Sequence, residues 1–189
     1  IIHLDADSMS IGKVKESTSE SQHAISLLSC GVPLPGNKVV IVDPDTKTLC
    51  QDETIGEVWA DGKSKAFGYW NSHIQQAEVF EASIASQIAG AGYLRTGDMG
   101  FLKDKELYIC GRYKEMIVIR GQNYFPQDIE KIVHSCCPEL RPRAVVAFEY
   151  SENDLVRVGL IVETKVSAPE SQAQNVISTV RSKIGLEIH

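Results

Sequence analysis

The sequence predicts an α+β protein in two parts, and three observations lead to this prediction. Short apolar runs between turn residues, from about residue 38 to 112, indicate antiparallel strands that would form a small barrel or a sheet. Amphipathic helical patterns after residue 125 alternate with further strands, which indicates a compact α+β unit. The chain has 189 residues and is 43% hydrophobic, enough for a sizeable core. We predict a first part over residues 1–113 and a second over 114–189.

Strand signals and one helical pattern fill the first part. The opening segment, IIHLDADS, indicates a strand, and the polar, serine-rich residues 12–24 predict an exposed loop. Residues 39–42 and GEVWADG at 56–62 indicate strands, because both are apolar runs between turn residues. A helix is predicted over residues 72–88, where apolar side chains recur at spacings of three and four and would lie in the core: Ile74, Ala77, Phe80, Ile84 and Ile88.

Residues 97–112, GDMGFLKDKELYICGR, predict a hairpin around the charged turn KDKE. A two-residue loop would place Asp98 opposite Gly111, whereas a three-residue loop would place it opposite Arg112. Either register brings the carboxylate of Asp98 within about 5–8 Å of the Arg112 guanidinium, the distance of cross-strand neighbours. On spacing alone, this pair could equally be a surface ion pair.

In the second part, the sequence predicts two helices and three strands. Strands are expected over residues 116–119, 144–148 and 155–163, with a turn at 121–123 after the first. Pro126 suits the first position of a helix because its missing N–H costs nothing there, and Pro138 would end that helix. The last helix is predicted over 169–184. The buried stripes would be Ile129, Ile132, Val133 and Cys136 in the first helix, and Ala173, Val176, Ile177, Val180 and Ile184 in the second.

Charge and composition exclude several classes of partner. The net charge of −6 predicts no nucleic-acid partner, and no apolar run is long enough to predict a membrane span. No signal peptide is indicated at the start. The five cysteines are odd in number and lack the paired spacing of a zinc site, so we predict no metal site and a cytoplasmic location. The chain starts within a strand and stops just after a helix, so we expect a piece of a longer protein.

Three segments together resemble motifs of the adenylate-forming superfamily, which includes acyl-CoA synthetases, luciferases and peptide-synthetase adenylation domains. GEVWADGKSKAFGYW at 56–70 resembles the family's GE-x-G-GYW segment, and YLRTGD at 93–98 resembles its (Y/L)RTGD segment. GRYKEMIVIRGQNYFPQDIE at 111–130 resembles its GR-K-D-I-G-N-P-IE segment. The resemblance covers about residues 28–189. Within the family, SCGVPLPG, RTGDMGFL, ELYICGR and IRGQNYFPQDIE look most like fatty acyl-AMP ligases.

The resemblance implies roles for four residues. Asp98 matches the family's acidic residue that binds both ribose hydroxyls of the nucleotide, and a carboxylate has the two acceptor oxygens for a vicinal diol. Arg112 matches an arginine near the ribose and phosphate, where a permanent cation suits an anionic ligand. Lys114 matches the hinge about which the small domain alternates between adenylation and transfer conformations. Gly121 matches the glycine that admits the phosphopantetheine arm, since it lacks a Cβ. The alternative for Lys114 is a solvated surface lysine without a hinge role, and the alternative for Gly121 is a glycine required only by a turn.

Four other motif residues are assigned to structure instead of chemistry. We predict that Trp59 and Trp70 pack against neighbouring side chains. Glu57 and Glu130 are assigned structural roles before catalytic ones.

The resemblance also implies how the chain divides. Residues 1–113 would be the C-terminal portion of the large nucleotide-binding domain, with its β-barrel region and ribose-binding hairpin, and 114–189 the small α+β domain. The chain has no phosphate-binding loop of the family's SGTTG type and stops before its PKT-SGK segment. The family's catalytic lysine would therefore lie beyond His189. We predict no catalytic residue in this chain and no adenylation by the chain alone.

The resemblance implies an ATP-dependent ligase of lipid metabolism as the parent protein. It would activate a fatty acid with ATP and Mg²⁺ to an acyl adenylate, and transfer the acyl group from AMP to an acyl carrier protein or carrier domain. Transfer to coenzyme A is one alternative. A degenerate adenylate-forming domain that acts only as a binding module is the other.

Overall fold

The structure, a computed structural model, describes residues 1–10, 12–20, 24–71, 76–85, 92–138, 140–141, 143–153, 155–163 and 170–184. In chain order the elements are β1 (Ile2–Asp5), α1 (Ala6–Ser10), β2 (Ala24–Leu27), β3 (Lys38–Val42), β4 (Gly56–Asp61), a π-helical turn (Gln76–Phe80), β5 (Leu94–Lys103), β6 (Glu106–Arg112), a 3₁₀ turn (Tyr113–Glu115), β7 (Ile117–Ile119), β8 (Gln122–Tyr124), α2 (Pro126–Cys136), β9 (Val145–Glu152), β10 (Leu155–Val162) and α3 (Glu170–Ile184). All paired strands are antiparallel, and the predicted α+β fold class is confirmed.

The chain divides into two compact units. One contains Ile1–Ser19 and Ala24–Lys114, and the other contains Glu20–His23 and Glu115–His189. In the first unit, strands β3, β4, β5 and β6 form one sheet in that order, and β1 pairs with β2 in a separate sheet. Among the described strands, β3 and β6 are the edges of the larger sheet, so the sheet is open and not a closed barrel. One buried cluster of this unit consists of Val42, Trp59, Ala82, Ile84 and Tyr93.

The prediction of a helix over residues 72–88 is wrong within the described part of that range. Only Gln76–Phe80 are helical, as a single π-helical turn, and Ala82 then bridges to Tyr93 in an antiparallel pair. After the turn, Ala82 and Ile84 are buried and residues 81, 83 and 85 are exposed, which is the alternation of an extended chain. The sequence pattern misled because residues four apart share a face in both a helix and a strand. Ile74 and Ile88 lie outside the described residues.

The start of the chain also differs from its prediction. The strand ends at Asp5, whose carboxylate accepts hydrogen bonds from the backbone N–H groups of Asp7 at 2.9 Å and Ser8 at 3.2 Å. This is the geometry of a helix N-cap, and it begins the short helix α1. Trp70 is 99% exposed, so the prediction that it packs is wrong for the described residues, whereas Trp59 is fully buried.

In the second unit, α2 and α3 pack against each other, and α2 also packs on the hairpin of β9 and β10. The predicted turn at 121–123 is shifted: Gln122 and Asn123 lie in β8, and the turn is formed by Arg120 and Gly121, both with positive φ. Ala173, predicted to be buried, is exposed. The core is made of Ile117, Ile129, Val133, Cys137, Val145, Ala147, Val158, Val176 and Val180.

Glu130 has the structural role that the sequence predicted. Its carboxylate accepts a hydrogen bond from the backbone N–H of Ala147 at 3.0 Å, which ties α2 to β9. The helix itself starts at Pro126 and is preceded by Phe125, which has extended backbone angles and no side-chain cap. This end of the helix is therefore fixed without a side-chain cap. Pro126 fixes the backbone conformation at the first position, and Ile129 packs into the core.

Candidate functional site

The hairpin of β5 and β6 carries the two residues predicted to bind a nucleotide. Its turn is a two-residue loop of Asp104 and Lys105, with φ of 50° and 69°, and Lys103 pairs with Glu106 beside it. Two successive positive φ angles are typical of the type I′ turn that suits the twist of a hairpin. In a regular ladder this loop would give the first of the two predicted registers, with Asp98 opposite a glycine.

A bulge in the hairpin changes that register. Gly100 pairs with Ile109, but the preceding residue, Met99, pairs with Gly111, so Cys110 is the additional residue of β6. A β-bulge sets two residues of one strand against one of its neighbour and so shifts all later pairs by one position. The loop therefore has the two residues of the first predicted alternative. The register, with Asp98 opposite Arg112, is the one predicted for a three-residue loop.

As a result, Asp98 lies directly opposite Arg112. Nη1 of Arg112 is 3.3 Å from Oδ1 of Asp98, and the two side chains are 57% and 31% exposed. This distance is longer than that of a close arginine–carboxylate hydrogen bond, about 2.7–2.9 Å. An exposed pair of this kind stabilises a fold by at most about 1 kcal/mol. Both groups thus remain accessible to an external ligand.

Asp98 belongs to a segment of β5 that departs from its pairing with β4. Glu57 pairs with Met99 and Trp59 pairs with Arg95, so the three residues Thr96, Gly97 and Asp98 lie opposite Val58 alone. Gly97 has φ of +75°, in the left-handed region that favours glycine. The hydroxyl of Thr96 donates a hydrogen bond to the Val58 carbonyl at 2.8 Å and accepts one from the backbone N–H of Asp98 at 3.1 Å.

A buried carboxylate lies next to this segment. Glu57, 2% exposed, accepts hydrogen bonds from Nε1 of Trp59 and from Nε of Arg95, both at 2.9 Å, and its ion pair with Nη2 of Arg95 is 2.7 Å long. The guanidinium of Arg95 also lies over the Trp59 ring, 5.5 Å from its centroid. Glu57 therefore has a structural role, as predicted: it connects the GEVW and RTGD segments.

The two remaining predicted site residues lie outside this cluster. Lys114 is an exposed residue of the 3₁₀ turn Tyr113–Glu115 and is the last residue of the first unit. Before it, the Tyr113 hydroxyl donates a hydrogen bond to Asp45 at 3.2 Å. Loss of solvation, together with this bond, raises the pKa of Tyr113. Gly121, with φ of +78°, lies in the β7–β8 turn, and a Cβ built on it would have no heavy atom within 4 Å.

The described residues contain neither a cluster of potential metal ligands nor a helix that could span a membrane. They contain no group of three or more His, Cys, Asp or Glu side chains that could hold a metal ion. No helix in the described part of the chain is long and apolar enough to cross a membrane. At the candidate site, Asp98 and Arg112 offer hydrogen bonding and charge, from one carboxylate and one guanidinium.

Comparison of the sequence with known proteins finds many relatives, of which three follow. The chain is 48% identical over 115 residues to the medium-chain-fatty-acid–[acyl-carrier-protein] ligase JamA of Moorena producens, a match of 61% of this chain and 19% of that protein. It is 31% identical over 188 residues to the putative fatty-acid–CoA ligase FadD21 of Mycobacterium tuberculosis, covering 97% and 31% of the two proteins. It is 32% identical over 167 residues to the long-chain-fatty-acid–AMP ligase FadD26 of Mycobacterium marinum, covering 87% and 28%. No family model matches the chain.

Solved structures give the same result for the fold. A structure from a study of fatty acyl-adenylate ligases of E. coli and L. pneumophila superposes with a TM-score of 0.81 at 28% identity, over 99% of this chain and 32% of that one. The chain therefore spans less than a third of the length of these relatives. The resemblance predicted from the three motifs is confirmed: the chain belongs to the adenylate-forming superfamily, as a homologue of part of the fatty acyl-AMP ligases.

Proposed function

We propose that this chain is part of a fatty acyl-AMP ligase, an ATP-dependent enzyme that activates a fatty acid to an acyl adenylate and transfers the acyl group to an acyl carrier protein. The observation that carries the proposal is the pair of Asp98 and Arg112, opposite each other at 3.3 Å and both accessible to solvent. The names of JamA and FadD26, a carrier-protein ligase and an AMP ligase, support the same reaction.

In the proposed site, the two carboxylate oxygens of Asp98 accept hydrogen bonds from the two ribose hydroxyls of ATP, and later of the acyl adenylate. Arg112 presents a fork of donors and a fixed positive charge beside them, which suits the ribose and the phosphate. ATP supplies the AMP group and the driving force of the reaction. No ligand of Mg²⁺ is assigned to the described residues, because they contain no cluster that could hold a metal ion.

We further propose that residues 1–113 are the end of the large nucleotide-binding domain and 114–189 most of the small domain, with Lys114 as the hinge. The 3₁₀ turn at Tyr113–Glu115 supports a hinge, because hinges are short segments at the ends of elements that absorb the change in torsion angles. Gly121 would line the path of the phosphopantetheine arm, and the open space around it supports close approach by a ligand.

Transfer to coenzyme A is the second candidate reaction, and the name of FadD21, a putative fatty-acid–CoA ligase, favours it. The acceptor can be determined with the full-length protein, ATP and a series of fatty acids, by offering coenzyme A and a phosphopantetheinylated carrier protein in separate reactions. We expect acyl transfer to the carrier protein. Rapid formation of acyl-CoA would instead identify an acyl-CoA synthetase, and the absence of an acyl adenylate would identify a binding module.

The variant Asp98→Asn tests the nucleotide site itself. Loss of charge-assisted hydrogen bonds should weaken ATP binding by about 1.5–3 kcal/mol, or roughly 10- to 150-fold. Asp104→Asn is the matched control, because Asp104 lies at the tip of the same hairpin and asparagine tolerates its φ of 50°. Unchanged ATP affinity in Asp98→Asn would mean that Asp98 and Arg112 form only a surface ion pair.

A further inference from the structure

We infer that Thr96 is a positioning residue for the nucleotide site: its hydroxyl group holds the Asp98 carboxylate in place for the ribose. This inference rests on the proposed function of Asp98 and goes beyond it, because Thr96 itself would touch no substrate.

The first step of the argument is the backbone geometry. Between the pairs formed by Trp59 with Arg95 and by Glu57 with Met99, β4 contributes one residue, Val58, whereas β5 contributes three. Regular ladder hydrogen bonds therefore do not fix the segment from Thr96 to Asp98 against β4. On its other side, Asp98 still pairs with Arg112 of β6, but the described strand pairs include neither Thr96 nor Gly97. The shape of the segment before Asp98 therefore depends on interactions other than ladder pairing.

The second step is that one hydroxyl group supplies this interaction on both sides. It donates to the Val58 carbonyl of β4 at 2.8 Å, and it accepts from the Asp98 N–H, two residues along its own strand, at 3.1 Å. Val58 is 3% exposed, so its carbonyl has little access to water as a replacement donor. Removing the hydroxyl would cost more than one hydrogen bond, because a buried acceptor would be left unsatisfied.

The third step concerns what lies on either side of Thr96. The preceding residue, Arg95, is fixed by the buried Glu57, and the following residue, Gly97, has the conformational freedom of a glycine at φ +75°. Thr96 thus lies between a residue that an ion pair fixes and a residue with a flexible backbone, and its hydroxyl ties the Asp98 backbone to β4. Without it, Gly97 could relax and move the carboxylate of Asp98, and a binding group must stay within about 0.5 Å of its productive position.

The experiment compares ATP with 2′-deoxy-ATP, which lacks one of the two hydroxyls that Asp98 is proposed to bind. In the full-length protein, kcat/KM for both nucleotides is measured by fatty-acid-dependent ATP–pyrophosphate exchange in the wild type and in Thr96→Val, Thr96→Ser and Asp98→Asn. Thr179→Val is the matched control, because its hydroxyl donates to the Asn175 carbonyl within α3. The ratio of the two kcat/KM values does not depend on the folded fraction of a preparation.

We expect Thr96→Val, which keeps the shape of the side chain, to lower kcat/KM for ATP about tenfold through KM, and to lower the preference for ATP over 2′-deoxy-ATP about threefold or more. Thr96→Ser, which keeps the hydroxyl, should restore the preference, and Thr179→Val should leave it unchanged. An unchanged preference in Asp98→Asn would refute the proposed function of Asp98. A reduced preference in Asp98→Asn with an unchanged preference in Thr96→Val would refute the inference about Thr96 alone.

Discussion

The carboxylate of Glu57 offers a sharp test of the structure, because a matched glutamate lies four residues away along the chain. In Glu57→Gln, the side chain keeps its size but loses the charge that three donors of Trp59 and Arg95 share. In Glu53→Gln, the same change removes the 3.1 Å ion pair with Lys103. The side chain of Glu57 is 3% exposed and that of Glu53 is 55% exposed, so the two variants differ mainly in burial.

The expected magnitudes follow from that difference. Breaking a buried ion pair by removing one partner costs about 3–5 kcal/mol, because the remaining charge is left uncompensated. The side chain of Arg95 is 23% exposed and can recover part of its hydration, so we expect the lower end, about 3 kcal/mol, for Glu57→Gln. An exposed pair contributes about 0–1 kcal/mol. Because Lys103 also keeps its ion pair with Glu16 at 2.8 Å, Glu53→Gln should cost less than about 0.5 kcal/mol.

Native-state amide exchange of the full-length protein measures both values in the strands concerned. About 3 kcal/mol corresponds to a rise of more than about 100-fold in the rates at which the amides of β4 and β5 exchange through opening of these strands. Glu53→Gln should leave those rates within about threefold of the wild type. Similar rates in the two variants would refute the reasoning, because burial would then not decide the contribution of the carboxylate.

Three further predictions concern the second unit and the hinge. Ile129→Ala, at a side chain that is 1% exposed, should lower the free energy of unfolding by about 2–5 kcal/mol in urea titrations, whereas Ile161→Ala, at 61% exposure, should change it by less than about 0.5 kcal/mol. Burial raises the pKa of Asp128 despite its contact with Lys131, so the stability from this group is fully present below about pH 3.9 and lost as the pH rises through the raised folded-state pKa. Urea titrations from pH 3 to 7 should show Asp128→Asn gaining stability relative to the wild type across that window, and a constant difference would contradict the assignment. Lys114→Pro fixes φ near −65° and should slow acyl transfer much more than adenylation in single-turnover assays, whereas equal slowing would indicate general damage.

The sequence predicts best those elements in which local pattern and tertiary structure agree. The hairpin around KDKE was found because charged turn residues separate two apolar arms, and α2 was found because Pro126 precedes a helical apolar stripe that ends before Pro138. In both elements, the residues that fix the conformation lie within the element itself. Recognition of the family depended on motif order in the same way, since the three motifs are local strings of residues.

The sequence predicts poorly where a distant partner decides the conformation. The helical turn ends at Phe80 and Ala82 pairs with Tyr93 instead, and spacing within the segment does not carry that information. The polar segment from residue 12 is predicted only as an exposed loop, and the sequence does not reveal its pairing: Ser17 donates a backbone hydrogen bond to the His3 carbonyl at 2.8 Å, and Val14 donates one to the Glu53 carbonyl at 2.9 Å. Most of the segment is exposed as predicted, yet its backbone is held by pairing that only the fold creates.

The candidate site depends both on local sequence pattern and on distant partners, and the sequence revealed only the features that depend on local pattern. Asp98 and Arg112 were found because a regular hairpin places them near each other in any register. Their direct opposition depends on the bulge at Cys110, and the placement of the Asp98 backbone depends on the hydroxyl of Thr96. A strict alternation of sides would give residues 96 and 98 the same face of β5, but the left-handed Gly97 between them interrupts that alternation. The carboxylate is therefore partly exposed at the point where three consecutive buried residues, 99–101, begin. A pattern of period two cannot reveal such a position, because it arises from irregularities on both sides of the strand.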